Sequence, residues 1–232
     1  VEVIPMKQWL TQISALLVSA LLVATAAPTV AAPGKKVTFQ SGGRSLVGFL
    51  YEPEGNGPWP ALIWNHGSEK DPGAGRQFDT VASVFVPAGY VVFAPERRGH
   101  GESPGDYVVD RVKLTFQLQG KEAADRQTVK LLESEQLDDQ LAALAYVKRL
   151  PIVDPQRIVV AGCSYGGIQA LLGAESGAGY RAAISISPGA LMWERNDALR
   201  TRLIRAVSHT NIPVLLIQPA KDASLGPSHV LG

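Results

Sequence analysis

Apolar residues in this chain come in short runs, separated by turn residues and by stretches with helical spacing. Residues 158–161, Ile-Val-Val-Ala, are mostly β-branched and read as a strand buried on both faces. Runs at 61–64, 90–94, 182–187 and 212–218 predict further strands. Between them, Phe78, Val81, Ala82 and Phe85 recur at helical spacing, and Pro87 and Gly89 end that pattern. Leu137, Leu141, Leu144 and the stem of Lys148 fall on one face of a later helix, closed by Pro151. Residues 36–40 and 45–51 instead alternate apolar and polar around Ser41-Gly42-Gly43-Arg44, which predicts a hairpin. The pattern as a whole is α/β: a mostly parallel, doubly wound sheet entered through an antiparallel edge.

The segment 104–136 follows no clear period. Residues 107–120 mix apolar and polar positions, and 121–135 read as an exposed charged helix. A short cap insertion over a pocket is the expectation for 104–136.

Length and composition narrow the class. The 232 residues suit one α/β domain, and a hydrophobic fraction of 46% is enough for a sizeable core. With 22 basic and 21 acidic side chains there is no electrostatic reason to expect a nucleic-acid partner. One cysteine excludes an intrachain disulfide, and Cys/His spacing of the metal-binding kind is absent. No metal or organic cofactor is expected.

The first residues have the layout of a targeting segment. After Met6 and Lys7 comes an uncharged apolar stretch over 13–27, then small residues and a Pro-Gly break. That is the order of a secretory signal peptide, with cleavage after Ala26 or Ala31. The stretch is shorter than the ~20 apolar residues that span a bilayer comfortably, so no stable membrane span is expected after cleavage. Residues 1–31 are thus assigned to an extension and signal peptide, 32–232 to the domain, and the protein to a secreted or periplasmic location. Residues 1–5 precede the first methionine, which suggests a fragment.

The candidate chemistry sits behind the strand at 158–161. Gly162-Cys163-Ser164-Tyr165-Gly166 fits G-x-S-x-G, the spacing of a sharp strand-to-helix turn with serine at its tip. A serine held at positive φ needs neighbours two residues away that carry no Cβ to collide. Gly162 and Gly166 meet that need, and Ser164 is the candidate nucleophile. A helix opening directly behind it lets the Tyr165 amide point toward a developing oxyanion. Cys163, one place before the tip, is expected to be a small hydrophobe facing away from the pocket.

With NHGSE at 65–69, ERRGHGES at 96–103, VDPQRIVVAGCSYGG at 153–167 and IPVLLIQPAKD at 212–222, the chain resembles the α/β-hydrolase superfamily. Within it, the dienelactone hydrolase and S9-type serine peptidase branch is the most similar, over about residues 36–232. Dienelactone hydrolases proper carry cysteine at the nucleophile position, where this chain has Ser164. The resemblance implies that the backbone N–H of Ser68, or of Gly67, supplies the second oxyanion donor. It also implies the chain order Ser, acid, His, which makes Asp222 the candidate acid, with Glu194 and Asp197 as rivals. His66 and His100 are expected to be structural. Arg97 or Arg98 is expected to brace its loop by pairing with Glu96 or Glu102, a substrate carboxylate being the other partner considered.

The resemblance also implies a catalytic histidine after a further helix and strand. His66, His100 and His209 precede Asp222, and His229 lies close behind it in what should be a helix start. None is assigned, and the base is expected beyond Gly232, with the last strand and helix of the fold missing from the sequence. The expected activity is exported hydrolysis of a small carboxylic ester or lactone through an acyl-enzyme on Ser164. An S9-type peptidase is the alternative, and a non-catalytic binding protein on the same scaffold is a third reading.

Overall fold

The computed structural model describes residues 33–74 and 76–232, so the expected signal peptide lies outside the described residues. Strands β1 (Lys35–Ser41) and β2 (Arg44–Tyr51) pair antiparallel, with Ser41 opposite Arg44. Only two residues join them, and Gly42 and Gly43 both take positive φ, 52° and 76°. Two positive-φ residues in a row match the right-handed twist of the flanking strands, which is why the Gly-Gly pair makes the hairpin.

Behind the hairpin lie β3 (Trp59–Asn65), β4 (Val91–Pro95), β5 (Val153–Cys163), β6 (Ala182–Ile186) and β7 (Val214–Ile217). The sheet order is β1-β2-β4-β3-β5-β6-β7. The β2–β4 pair is antiparallel, and all pairs from β4 to β7 are parallel. Every strand from β3 to β7 therefore ends at one common edge, where β3, β4, β5 and β7 lead into the segments holding Ser68, Arg97, Ser164 and Asp222. Ligands of open α/β sheets bind at such an edge.

Helix α1 (Gln77–Phe85) covers one face of the sheet, packing Phe78 and Ala82 with Leu62, Trp64 and Val92. The other face is covered by α4 (Glu135–Val147) and α5 (Tyr165–Glu175), whose Ala143, Leu144 and Ala170 meet Ile63, Phe93 and Val160. A third cluster joins α5 to α2 (Val108–Gln119), α3 (Lys121–Glu133) and α6 (Asp197–His209) through Ile168, Val108, Leu132 and Leu203. A short helix, α7 (Gly226–Leu231), follows β7. Among the described residues no helix is long and apolar enough to cross a membrane.

Four expectations need correction. The buried face of α4 is Gln136, Asp139, Gln140, Ala143, Leu144 and Val147, one position round from the expected leucine stripe. Of its polar residues, Gln136 and Asp139 are buried against arginines, and Gln140 donates to the Tyr180 hydroxyl at 3.4 Å. Asp139 accepts from the Arg98 N–H and Nε, both at 2.9 Å, from Arg98 Nη2 at 2.6 Å and from Ser41 Oγ at 2.6 Å. Gln136 Oε1 accepts from Arg97 Nε at 3.0 Å. Arg97 and Arg98 thus brace their loop through α4, not through Glu96 or Glu102. Glu102 pairs with Lys36 instead.

Residues 121–135 are not one exposed helix. The chain breaks at Ser134, and α3 buries Ala124, Thr128, Leu131 and Leu132 against the third cluster. Strand β7 is not buried on both faces either: Leu215 and Ile217 are exposed, while Leu216 packs toward α6.

Candidate active site

Strand β5 is apolar at every position from Ile158 to Ala161 and pairs with β3 and β6 on its two sides. The strand ends in a turn whose tip, Ser164, has φ 56° and ψ −113°. That conformation is strained for a residue with a side chain and persists only where its surroundings impose it. They do so here. A Cβ on Gly162 would fall 2.3 Å from the Gly166 carbonyl oxygen, and one on Gly166 would fall 1.9 Å from the Asn65 carbonyl oxygen. Both obstacles are backbone, so only glycine fits. The Ser164 N–H then donates to the Ile186 carbonyl at 2.9 Å, and the Ser187 N–H to the Ile217 carbonyl at 2.9 Å. These bonds carry the parallel ladder one residue past the strand ends and align the three loops behind β5, β6 and β7.

Ser164 opens into a cavity of about 190 Å³. Ser68 and Tyr165 line it with Ser164, and so do Val108, Val109, Val112, Leu191 and Met192. Tyr165 is the first residue of α5, so its N–H has no partner within the helix. Among the described residues neither the Tyr165 N–H nor the Ser68 N–H donates to a backbone acceptor. Three of the four expected site residues therefore meet at one cavity. The fourth does not line it.

Asp222 lies in the loop after β7, half-exposed. Its Oδ1 accepts from the Ala223 N–H at 2.7 Å and its Oδ2 from Gln218 Nε2 at 3.1 Å. Slight desolvation pushes its pKa up, but hydrogen bonding from Ser187, Ala223 and Gln218 outweighs that and holds it below the usual carboxylate range. Its charge reaches the serine turn: burial, Glu69 and Asp222 together raise the Cys163 thiol. Cys163 is half-buried on the α1 side of the sheet with Trp64 and Phe78, away from the cavity. Of the rival acids, Glu194 accepts from Ser224 Oγ at 2.7 Å, and Asp197 pairs with Arg200 at 2.6 Å.

No histidine lines the cavity. His66 is fully buried, with Nε2 3.3 Å from the Arg97 N–H and Nδ1 2.9 Å from the Gly67 carbonyl and 3.2 Å from Arg97 Nη2. Burial, then the Arg97 and His100 charges, lowers its pKa well below the ordinary value. His100 is also buried, with Nδ1 3.1 Å from the Arg98 carbonyl. His209 caps the end of α6, 2.8 Å from the Arg205 carbonyl, and His229 is exposed in α7.

Arg97 holds the loop that carries Ser68. Its side chain is wholly buried, and Nη2 donates to the His66 and Gly67 carbonyls, each at 2.9 Å. The guanidinium carbon lies 5.4 Å from the centre of the Tyr165 ring. Among the described residues no carboxylate touches it, and burial lowers its pKa to about 10. Glu69 holds the same loop from the other side, accepting from the Gly67 N–H at 3.2 Å and from Gln77 at 3.1 Å.

The sequence reading missed the apolar wall. Val108, Val109 and Val112 come from the segment without a clear period, and the signal available there was the valine pair followed by Val112 one turn later. It also missed Ser187, which takes φ 49° at the end of β6 and faces Asp222.

A model of the alpha/beta hydrolase family matches residues 66–227. The chain is 29% identical over 154 residues to the quorum-quenching protein AidA of Acinetobacter baumannii, a match covering 66% of this chain and 43% of that protein. Its structure superposes on dipeptidyl peptidase 4 of Porphyromonas gingivalis with a TM-score of 0.62 at 20% identity, over 87% of this chain and 30% of that one. Est1E from Butyrivibrio proteoclasticus, solved with ferulic acid bound, gives 0.57 at 20% identity, over 78% of this chain and 77% of that one. The chain thus spans less than half the length of AidA and under a third of the peptidase.

Proposed function

Because the chain belongs to the alpha/beta hydrolase family, we propose that it is a serine hydrolase that cleaves a carboxylic ester or lactone through an acyl-enzyme on Ser164. The observation that carries the reading is the meeting of Ser164 with Ser68 and Tyr165, whose N–H groups lack backbone acceptors, in one apolar cavity. Relatives and structural neighbours named for quorum quenching, esterase and peptidase activity support a hydrolase.

In the proposed reaction Ser164 Oγ attacks the carbonyl carbon, and the carbonyl oxygen takes up negative charge. The Ser68 and Tyr165 N–H groups receive that charge. Fixed amides stabilise it without reorganising, and one such donor is worth about 10²- to 10³-fold in rate. The C–O bond to the alcohol then breaks, and the alcohol leaves with the proton taken from Ser164. Water attacks the acyl-enzyme, releases the acid and restores the serine. Asp222 is proposed as the acid that orients the histidine handling these protons. None of the four histidines in these residues is proposed for that step. Export is proposed from residues 1–31 alone.

An ester fits the cavity better than a peptide. A peptide backbone needs partners for its N–H and C=O groups along its length, and the wall facing Ser164 is valine, leucine and methionine. The test is to mix the full-length protein with a p-nitrophenyl ester, quench in acid and measure the intact mass. The expected result is a mass increase equal to the acyl group, located on the peptide containing Ser164 and absent from Ser164→Ala. Turnover of the ester with no dependence on Ser164 would contradict the proposal.

A further inference from the structure

The cavity at Ser164 does not end at its apolar wall. A second hollow, of about 500 Å³, shares Val109, Val112, Thr128, Leu191 and Met192 with it and runs on past Phe116 and Ala124. Val109, Val112 and Phe116 are spaced i, i+3, i+7 on α2, so they lie along one helix face. The floor is apolar too. Thr128 is buried, and its hydroxyl is already taken by the Ala124 carbonyl at 2.9 Å, so it has no free donor to offer.

These side chains are not spare core residues. Val109 is 41% exposed, Phe116 55% and Leu191 72%. Apolar side chains held open to solvent on both sides of a groove that begins at a candidate nucleophile suit an apolar substrate group. The groove also has an end. Its lining also takes in Lys113, Lys121, Asp125, Arg195 and Asn196, and Lys121, which follows the end of α2, is bonded to Asp125 and to the Arg195 carbonyl.

We propose that this groove holds the acyl chain of the substrate, an aliphatic chain of medium length, so that the preferred substrates are medium-chain acyl esters and not acetates. The inference rests on the reading of Ser164 as nucleophile. The seven-residue rise from Val109 to Phe116 gives the apolar stretch a length of ~10 Å. An acetyl group leaves most of it filled with water, and a long fatty chain carries its tail into the charged rim. The acyl side is assigned because that part of the ester stays bonded to Ser164 until water releases it, whereas the alcohol has to depart.

The test uses the full-length protein and p-nitrophenyl acetate, butyrate, octanoate and palmitate. The expected kcat/KM for octanoate exceeds that for acetate by about tenfold or more and falls again at palmitate. Val112→Trp, which fills the groove, and Leu191→Asp, at a site exposed enough to accept a charge, each lower the octanoate-to-acetate ratio at least about tenfold. Leu118→Ser, on α2 but outside the groove, keeps the parent ratio. A flat or acetate-favouring series in a protein that still labels at Ser164 with a fluorophosphonate overturns the groove assignment and leaves the hydrolase standing. A preference that follows the alcohol at fixed acyl group overturns it as well. If Ser164 is neither labelled nor needed for turnover, the proposed function falls and the groove assignment with it.

Discussion

The carbonyl oxygen of Asn65 lies 1.9 Å from the point a Cβ on Gly166 would occupy. Asn65 ends β3 and Gly166 sits in the first turn of α5, so this contact locks the Ser68 loop against the serine turn. Gly166→Ala has no flexible neighbour to displace. It is expected to destabilise the protein by about 3 kcal/mol, the upper end for overpacking, and to reduce fluorophosphonate labelling of the folded fraction. Urea unfolding and labelling of the same samples check both.

Asp139 is fully buried and takes three hydrogen bonds from Arg98 and one from Ser41. Asp139→Ala leaves the buried Arg98 guanidinium without its principal counter-charge. Removing one partner of such a pair is expected to cost about 3–5 kcal/mol. A shift of the urea midpoint worth less than about 1 kcal/mol would show that Glu135, 3.3 Å from Arg98, takes over the role.

Stability is expected to fall on mild acidification. Burial first, and the Arg97 charge second, lower the pKa of His100 from 6.5 to about 4, and His66 is lowered in the same direction. The unfolded chain therefore takes up protons before the native state does. The contribution is complete above pH 6.5 and is lost as pH falls toward 4. For His100 it amounts to about 3 kcal/mol. Unfolding free energies at pH 7.5 and about 4.5, compared between the parent and His100→Gln, should show a smaller pH slope in the variant. An identical slope would exclude His100 as a source.

Asp222 and Glu194 compete for the role of acid. With the proposed role, Asp222→Asn lowers kcat by about 10³- to 10⁴-fold, as loss of a triad carboxylate does, and leaves the thermal midpoint near that of the parent because the side chain is half-exposed. Glu194→Gln stays within about twofold, the effect of a surface change. The reverse pattern in a steady-state ester assay would transfer the assignment to Glu194.

The strand pattern and the serine turn were legible because their causes are local. Largely apolar runs of four to six residues fix β3 to β6, and two glycines at fixed distance from Ser164 report a backbone crowded by its own neighbours. The face of α4 was illegible for the opposite reason. Gln136 and Asp139 read as solvent-facing, and their burial is set by Arg97 and Arg98, 39 and 41 residues earlier in the chain. The cavity wall was hidden because Val109 and Phe116 stay exposed on a helix, where pattern alone expects polar residues. A substrate groove departs from the inside-outside rule on which such a reading relies.

The central claim is that Ser164 is an activated nucleophile, and fluorophosphonate labelling of the full-length protein tests it most directly. The account predicts one label per chain on Ser164, lost in Ser164→Ala and prevented by prior unfolding. A folded protein that takes no label, or that keeps it in Ser164→Ala, would contradict the account.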